Sequence, residues 1–133
     1  MSSHYDTIVI GAGPAGLTAS SSLAEMGLKV LTLDEQNRIG GQIYRNIEKA
    51  SDSNLEKMGE EYRHGQGLAQ RFRNSGAEYL ANTLVWNVEP EGRVCYSREG
   101  VSERKTANYI IIATGAMERP VPFPGWNLPG VMG

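Results

Sequence analysis

Four residues stand at a spacing that suits a phosphorylated nucleotide: Gly11, Gly13 and Gly16, within Gly11-Ala12-Gly13-Pro14-Ala15-Gly16, and the acid Asp34. Each glycine has its own physical task. Gly11 allows a tight turn, Gly13 lets the main chain approach a pyrophosphate, and Gly16 lets a following helix lie close to the preceding strand. Pro14 and Ala15 fit the first turn of that helix, where the missing N–H of proline costs nothing. The free N–H groups and positive dipole end of the helix then face the phosphates. Asp34 stands 18 positions after Gly16, close to the roughly 20 expected of a carboxylate that accepts hydrogen bonds from a ribose hydroxyl. An acid there argues against a 2′-phosphate. The competing reading makes Asp34 and Glu35 solvated charges at a strand end.

The surrounding chain has the elements that such a site needs. Ile8, Val9 and Ile10 are apolar and β-branched, as in a strand buried on both faces of a parallel sheet. Ala15, Ala19, Leu23 and Met26 recur at helical spacing, so these four are the expected buried stripe of a helix that Gly27 ends. Leu28 to Leu33 is a second strand, running into Asp34. Strand, glycine turn, helix, strand and acid together point to dinucleotide binding.

Further along, Gly40 and Gly41 precede Gln42-Ile43-Tyr44-Arg45. Paired glycines form a turn, or let backbone N–H groups reach a second part of the same ligand. A capping-box pattern, Ser53-Asn54-Leu55-Glu56, opens a helix with Leu55, Met58, Tyr62, Ala69 and Phe72 on one side. A break is expected near Gly65, and Gly76 closes the helix. His64 reads as an exposed or satisfied helix histidine rather than a base, because no second catalytic group accompanies it in sequence. Ala77 to Leu80 is then a short strand, and Thr83 to Val88, Arg93 to Ser97 and a polar segment ending near Thr106 form a three-stranded β-meander, with turn signals at Pro90-Glu91-Gly92 and Glu99-Gly100. Asn108 to Ile112 is a separate apolar strand that exits through Ala113, Thr114 and Gly115. Ligands in parallel sheets gather outside the carboxyl ends of the strands, so Gly11, Asp34 and Gly115 are expected at one crevice. Residues 116–133 hold four prolines and read as an extended connector anchored by Phe123 and Trp126.

Bulk properties narrow the partners. The 133 residues fit one domain, and a net charge of −2 with 21% charged residues gives no electrostatic case for nucleic acid or an anionic membrane. The first apolar run is too short for a signal peptide or a membrane span, which makes a cytoplasmic location the expectation. The single cysteine, Cys95, leaves no internal disulfide and no multi-cysteine cluster. It falls in an expected strand and reads as a buried structural thiol. No residue pattern suggests a metal site.

Gly11 to Gly16, Asp34, the segment Gly40 to Arg45, Ile110-Ile111-Ile112-Ala113-Thr114-Gly115, and Met117 to Met132 together resemble the N-terminal FAD-binding portion of the two-dinucleotide-binding-domain flavoproteins. The resemblance is to the group with the opine oxidase and hydroxyproline dehydrogenase large subunits, the flavoprotein component of hydrogen cyanide synthase, and the sarcosine oxidase alpha chain. It implies an α/β, Rossmann-like FAD-binding domain over residues 1–115, with a parallel sheet, flanking helices and the meander, and residues 116–133 leading toward a second domain. It places FAD against Gly11, Gly13, Gly16, Asp34, Gly40, Gly41, Thr114 and Gly115. It also brings the backbone near Thr83 and Leu84 to the adenine, and Gln42 toward the flavin. Related disulfide reductases carry redox cysteines just after the glycine pair, where this chain reads Gln42-Ile43-Tyr44-Arg45, so that chemistry is excluded at this position.

By this resemblance the activity is oxidation of an amine or amino acid by hydride transfer to flavin, with electrons passed to another subunit or acceptor. No side chain presents itself as catalytic. Two other readings stand beside it: a non-catalytic, truncated flavoprotein fragment or module that needs a partner, and a nicotinamide-binding reductase domain using the same glycine pattern.

Overall fold

The computed structural model describes residues 4–41, 59–116, 124–125 and 127–129, without the side chains of residues 61 and 62. The elements run β1 (His4–Ile10), α1 (Pro14–Glu25), β2 (Val30–Leu33), α2 (Glu60–Asn74), β3 (Glu78–Leu80), β4 (Thr83–Glu89), β5 (Arg93–Arg98) and β6 (Val101–Ile112). They build one six-stranded sheet in the order β3-β2-β1-β6-β5-β4. The first four strands in that order run parallel, β5 adds antiparallel to β6, and β4 pairs antiparallel with β5. This is the expected α/β, Rossmann-like arrangement.

The expected meander is present but joined to the main sheet differently. The polar segment before Thr106 and the apolar segment after it are one continuous strand, β6, with two sets of partners. Residues 101–106 pair antiparallel with β5, whereas residues 106–112 pair parallel with β1. The composition shift at Thr106 marks a change of neighbour, not a strand end.

Two cores flank the sheet. On one side Ile8 and Ile10 of β1, Leu31 and Leu33 of β2, and Leu80 of β3 cluster with Tyr5, Val94 and Tyr96. On the other, Leu17 of α1 meets Leu68, Ala69 and Phe72 of α2, together with Ala12 and Ile39. Ala69 and Phe72 thus occupy the expected buried face of α2, and the Phe72 ring stands edge-on to Tyr79 with centroids 5.9 Å apart. Arg71 adds a two-pronged ion pair to Glu25 of α1, at 2.8 and 2.7 Å. Both partners are largely exposed, so the pair adds little stability.

Three expectations are corrected. The buried face of α1 is Gly16, Leu17, Ser20 and Ser21 rather than Ala15, Ala19, Leu23 and Met26; Ala15 is exposed, and Met26 is 75% exposed. Ser20 can face the sheet there because its Oγ and the Thr32 hydroxyl satisfy each other at 2.7 Å in a fully buried pair. Strand β2 begins at Val30, not Leu28. Helix α2 runs unbroken through Gly65 and Gly67, since tertiary packing of Leu68, Ala69 and Phe72 outweighs the roughly 1 kcal/mol helix cost of each glycine. Gly76 follows α2 with φ +88°, and His64 is exposed on it. The capping box at Ser53 with Leu55 and Met58, the residues Gln42 to Arg45, and the anchors Phe123 and Trp126 lie outside the described residues.

A crevice at the ends of three parallel strands

The three strands that end at the crevice are held level by their register. Ile10 at the end of β1 lies opposite Leu33 of β2 on one side and Ile112 of β6 on the other. The chain passes from β1 to β2 and β3 on one side and returns to β6 on the other, so β1 flanks a topological switch point. The residues that follow these ends are Gly11, Asp34 and Ala113, and all three line a crevice of about 870 Å³. That volume falls within the range of ligand clefts.

Hydrogen bonds lock the crevice wall. Gly11 N–H donates to Leu33 C=O at 2.7 Å and Ala113 N–H to Ile10 C=O at 2.8 Å, extending both parallel ladders by one step. Asp34 is held at both ends of its backbone, its N–H donating to Leu80 C=O at 3.1 Å and its C=O accepting from Thr83 N–H at 2.8 Å. Thr83 is thereby tied beside the acid, and it carries Leu84, which is 53% exposed, to the crevice. The Asp34 carboxylate accepts from Ala12 N–H through Oδ2 at 3.1 Å and from Gln36 N–H through Oδ1 at 3.2 Å. It braces the glycine turn as well as facing the crevice.

The glycines separate into two kinds. At Gly11, with φ +111°, a Cβ would stand 2.2 Å from Ala113 C=O, and at Gly16 it would stand 1.8 Å from Gly11 C=O. Both are demanded by the protein itself. A Cβ at Gly13 would meet nothing nearer than the Gly41 Cα, at 3.7 Å, and the backbone there has φ −79°. Nothing among the described residues forbids alanine at Gly13. The space such a Cβ would fill is the cradle beside the first turn of α1, where the opening N–H groups of a helix have no intrahelical acceptor. That first turn carries no acidic residue. An anion therefore fits there.

The glycine pair closes onto this turn. Gly40 N–H donates to Ala12 C=O at 2.8 Å, and a Cβ on Gly41 would come within 2.9 Å of the Gly13 Cα. Gly41 lines the crevice, as do Gly13, Pro14, Ala15, Glu35, Thr114 and Gly115. Gly16 and Gly40 lie beneath its surface, both buried. Sequence reasoning missed Arg38, a half-buried cation in the same wall; the available signal was a basic residue set between the acid and the glycine pair.

The remaining groups lie apart from the crevice. Cys95 is buried in β5, its thiol directed at Glu89 Oε1 at 3.9 Å. Among the described residues no group of three or more His, Cys, Asp or Glu is arranged for a metal ion, and no helix is long and apolar enough to cross a membrane.

Comparison with known proteins bears on the fold and the family. The chain is 50% identical to a subunit of opine oxidase from Rhizobium meliloti (strain 1021) over 97% of its length, and spans 28% of that protein. It is 31% identical to the alpha subunit of sarcosine oxidase from Corynebacterium sp. (strain P-1) over 97% of its length, spanning 14% of that protein. The fold is similar to that of L-proline dehydrogenase from P. horikoshii, with a TM-score of 0.71 and 22% identity, over 96% of this chain and 26% of the other. The chain thus spans less than a third of each of these relatives. The family model for pyridine nucleotide-disulphide oxidoreductases matches residues 5–132, and the chain belongs to that family.

Proposed function

We propose that this chain is the FAD-holding portion of an oxidoreductase that oxidises a carbon–nitrogen bond in an amine or amino acid. The observation that carries the reading is the convergence of Gly13, Asp34 and Thr114 on one crevice at the switch point, with an anion cradle at α1 and a carboxylate one strand away. This is the layout that a nucleotide with a diphosphate and a ribose requires.

In this reading the opening turn of α1 holds the diphosphate, while Asp34, fixed at both backbone ends, faces the ribose. The start of β4, at Thr83 and Leu84, borders the adenine. Gly41, Thr114 and Gly115 leave room along the rest of the molecule. Bound FAD supplies a two-electron acceptor for hydride. The substrate would lose its C–H hydrogen as hydride, its nitrogen lone pair closing a C=N bond and its N–H proton leaving to solvent. The protein contributes position and exclusion of water, and no side chain of the crevice is assigned as acid or base.

The names of the relatives support the substrate class. Opines, sarcosine and proline are all amino acids whose nitrogen bears a second carbon. The opine oxidase and sarcosine oxidase relatives are each named as one subunit of their enzyme, which favours a partner subunit here. The single buried cysteine leaves this chain without a dithiol, despite the family's name. The test is purification of the chain after expression with excess riboflavin, with absorbance recorded at the flavin bands. A yellow protein with near-stoichiometric FAD supports the reading, and a colourless one that takes up no FAD opposes it.

A further inference from the structure

The crevice wall holds two carboxylates, Asp34 and Glu35, and a single cation among the described residues, Arg38. One positive charge against two negative ones leaves the wall at −1, unfavourable for a diphosphate unless that cation is directed at it. Arg38 is half-buried and forms no ion pair among the described residues. Asp34, the acid four positions earlier, is already engaged by Ala12 N–H and Gln36 N–H. The segment carrying Arg38 is anchored beside the glycine turn: Ile39 is buried against the α1–α2 core, Gly40 bonds to Ala12, and Gly41 abuts Gly13.

We propose that Arg38 supplies the positive charge that neutralises the diphosphate of the bound dinucleotide. The inference rests on the FAD reading above and adds a side chain to a site otherwise made of backbone. A planar guanidinium suits this task, since it can give two parallel N–H bonds to phosphate oxygens. Its positive charge also offsets the repulsion from Glu35.

The test measures dissociation constants of FAD, ADP and adenosine for the wild-type chain, Arg38→Gln and Arg38→Lys, together with unliganded melting temperatures. Expected for Arg38→Gln is a loss of roughly tenfold or more for FAD and ADP, an unchanged adenosine constant, an unchanged unliganded melt and a weaker dependence on salt. Arg38→Lys should fall between. Equal constants in wild type and Arg38→Gln, or an equal loss for adenosine, overturn the assignment while the FAD site stands. A wild-type chain that binds neither FAD nor ADP overturns both.

Discussion

The Asp34 carboxylate accepts a hydrogen bond from Ala12 N–H at 3.1 Å, so the acid that ends β2 braces the glycine turn that ends β1. One side chain thus couples the two halves of the site. Replacing Asp34 with alanine is expected to destabilise the fold by about 1–3 kcal/mol, the cost of two lost hydrogen bonds to a charged acceptor. FAD affinity should fall further than that loss alone explains. Urea denaturation with and without FAD measures both quantities, and a variant as stable as wild type would contradict the bracing role.

Gly13 and Gly16 should respond oppositely to alanine. Gly16→Ala places a methyl 1.8 Å from a backbone oxygen and should cost at least about 2 kcal/mol of stability. Among the described residues, a Cβ at Gly13 meets no atom beyond its chain neighbours closer than 3.7 Å, so the stability of Gly13→Ala should stay within about 0.5 kcal/mol of wild type. Its FAD affinity should nevertheless fall by at least about tenfold. Thermal melts paired with FAD titration separate the two effects.

Gly41→Ala tests the contact between the glycine pair and the turn. The residue has φ +65°, and a Cβ would press on the Gly13 Cα at 2.9 Å, so the loop must lift from the turn. We expect a stability loss of about 1–3 kcal/mol together with weaker FAD binding. Amide exchange at Gly40, whose N–H bonds to Ala12 C=O, should become faster.

Tyr5 gives a pH signature. Burial, then its hydrogen bond to Glu78, then the charge of Glu78 hold its phenol well above the usual tyrosine range; Tyr96 is shifted the same way by burial and Glu103. The unfolded chain ionises these phenols near pH 10, whereas the native chain keeps its protons. Unfolding therefore releases protons above that pH, and stability that is complete below pH 10 should fall as the pH rises further. Tyr5→Phe should be less stable at neutral pH and lose less on going to pH 11, as read from denaturation midpoints across pH 8–11.

What was legible in the sequence was the part set by local chemistry. The glycine turn, the acid 18 residues on and the hairpin turn at Glu99-Gly100 each impose backbone angles or spacings that few residues meet; Glu99 and Gly100 indeed have φ of 52° and 80°. What was not legible depended on partners distant in the chain. Ser20 reads as a surface residue until Thr32, 12 positions away, satisfies it. Thr106 reads as a strand end, yet it lies opposite His4 on one side and Arg93 on the other. Arg38 reads as a loop charge until the register of β1 and β2 brings its loop to the glycine turn.

The central claim is that this crevice selects FAD, and the most direct measurement is the melting temperature of the chain titrated in parallel with FAD and NADH. A ligand that binds only the native state raises the melting temperature progressively with concentration. Expected is a concentration-dependent rise with FAD, shifted to higher FAD concentration in Gly13→Ala, and little or none with NADH. A rise with NADH and none with FAD would contradict it.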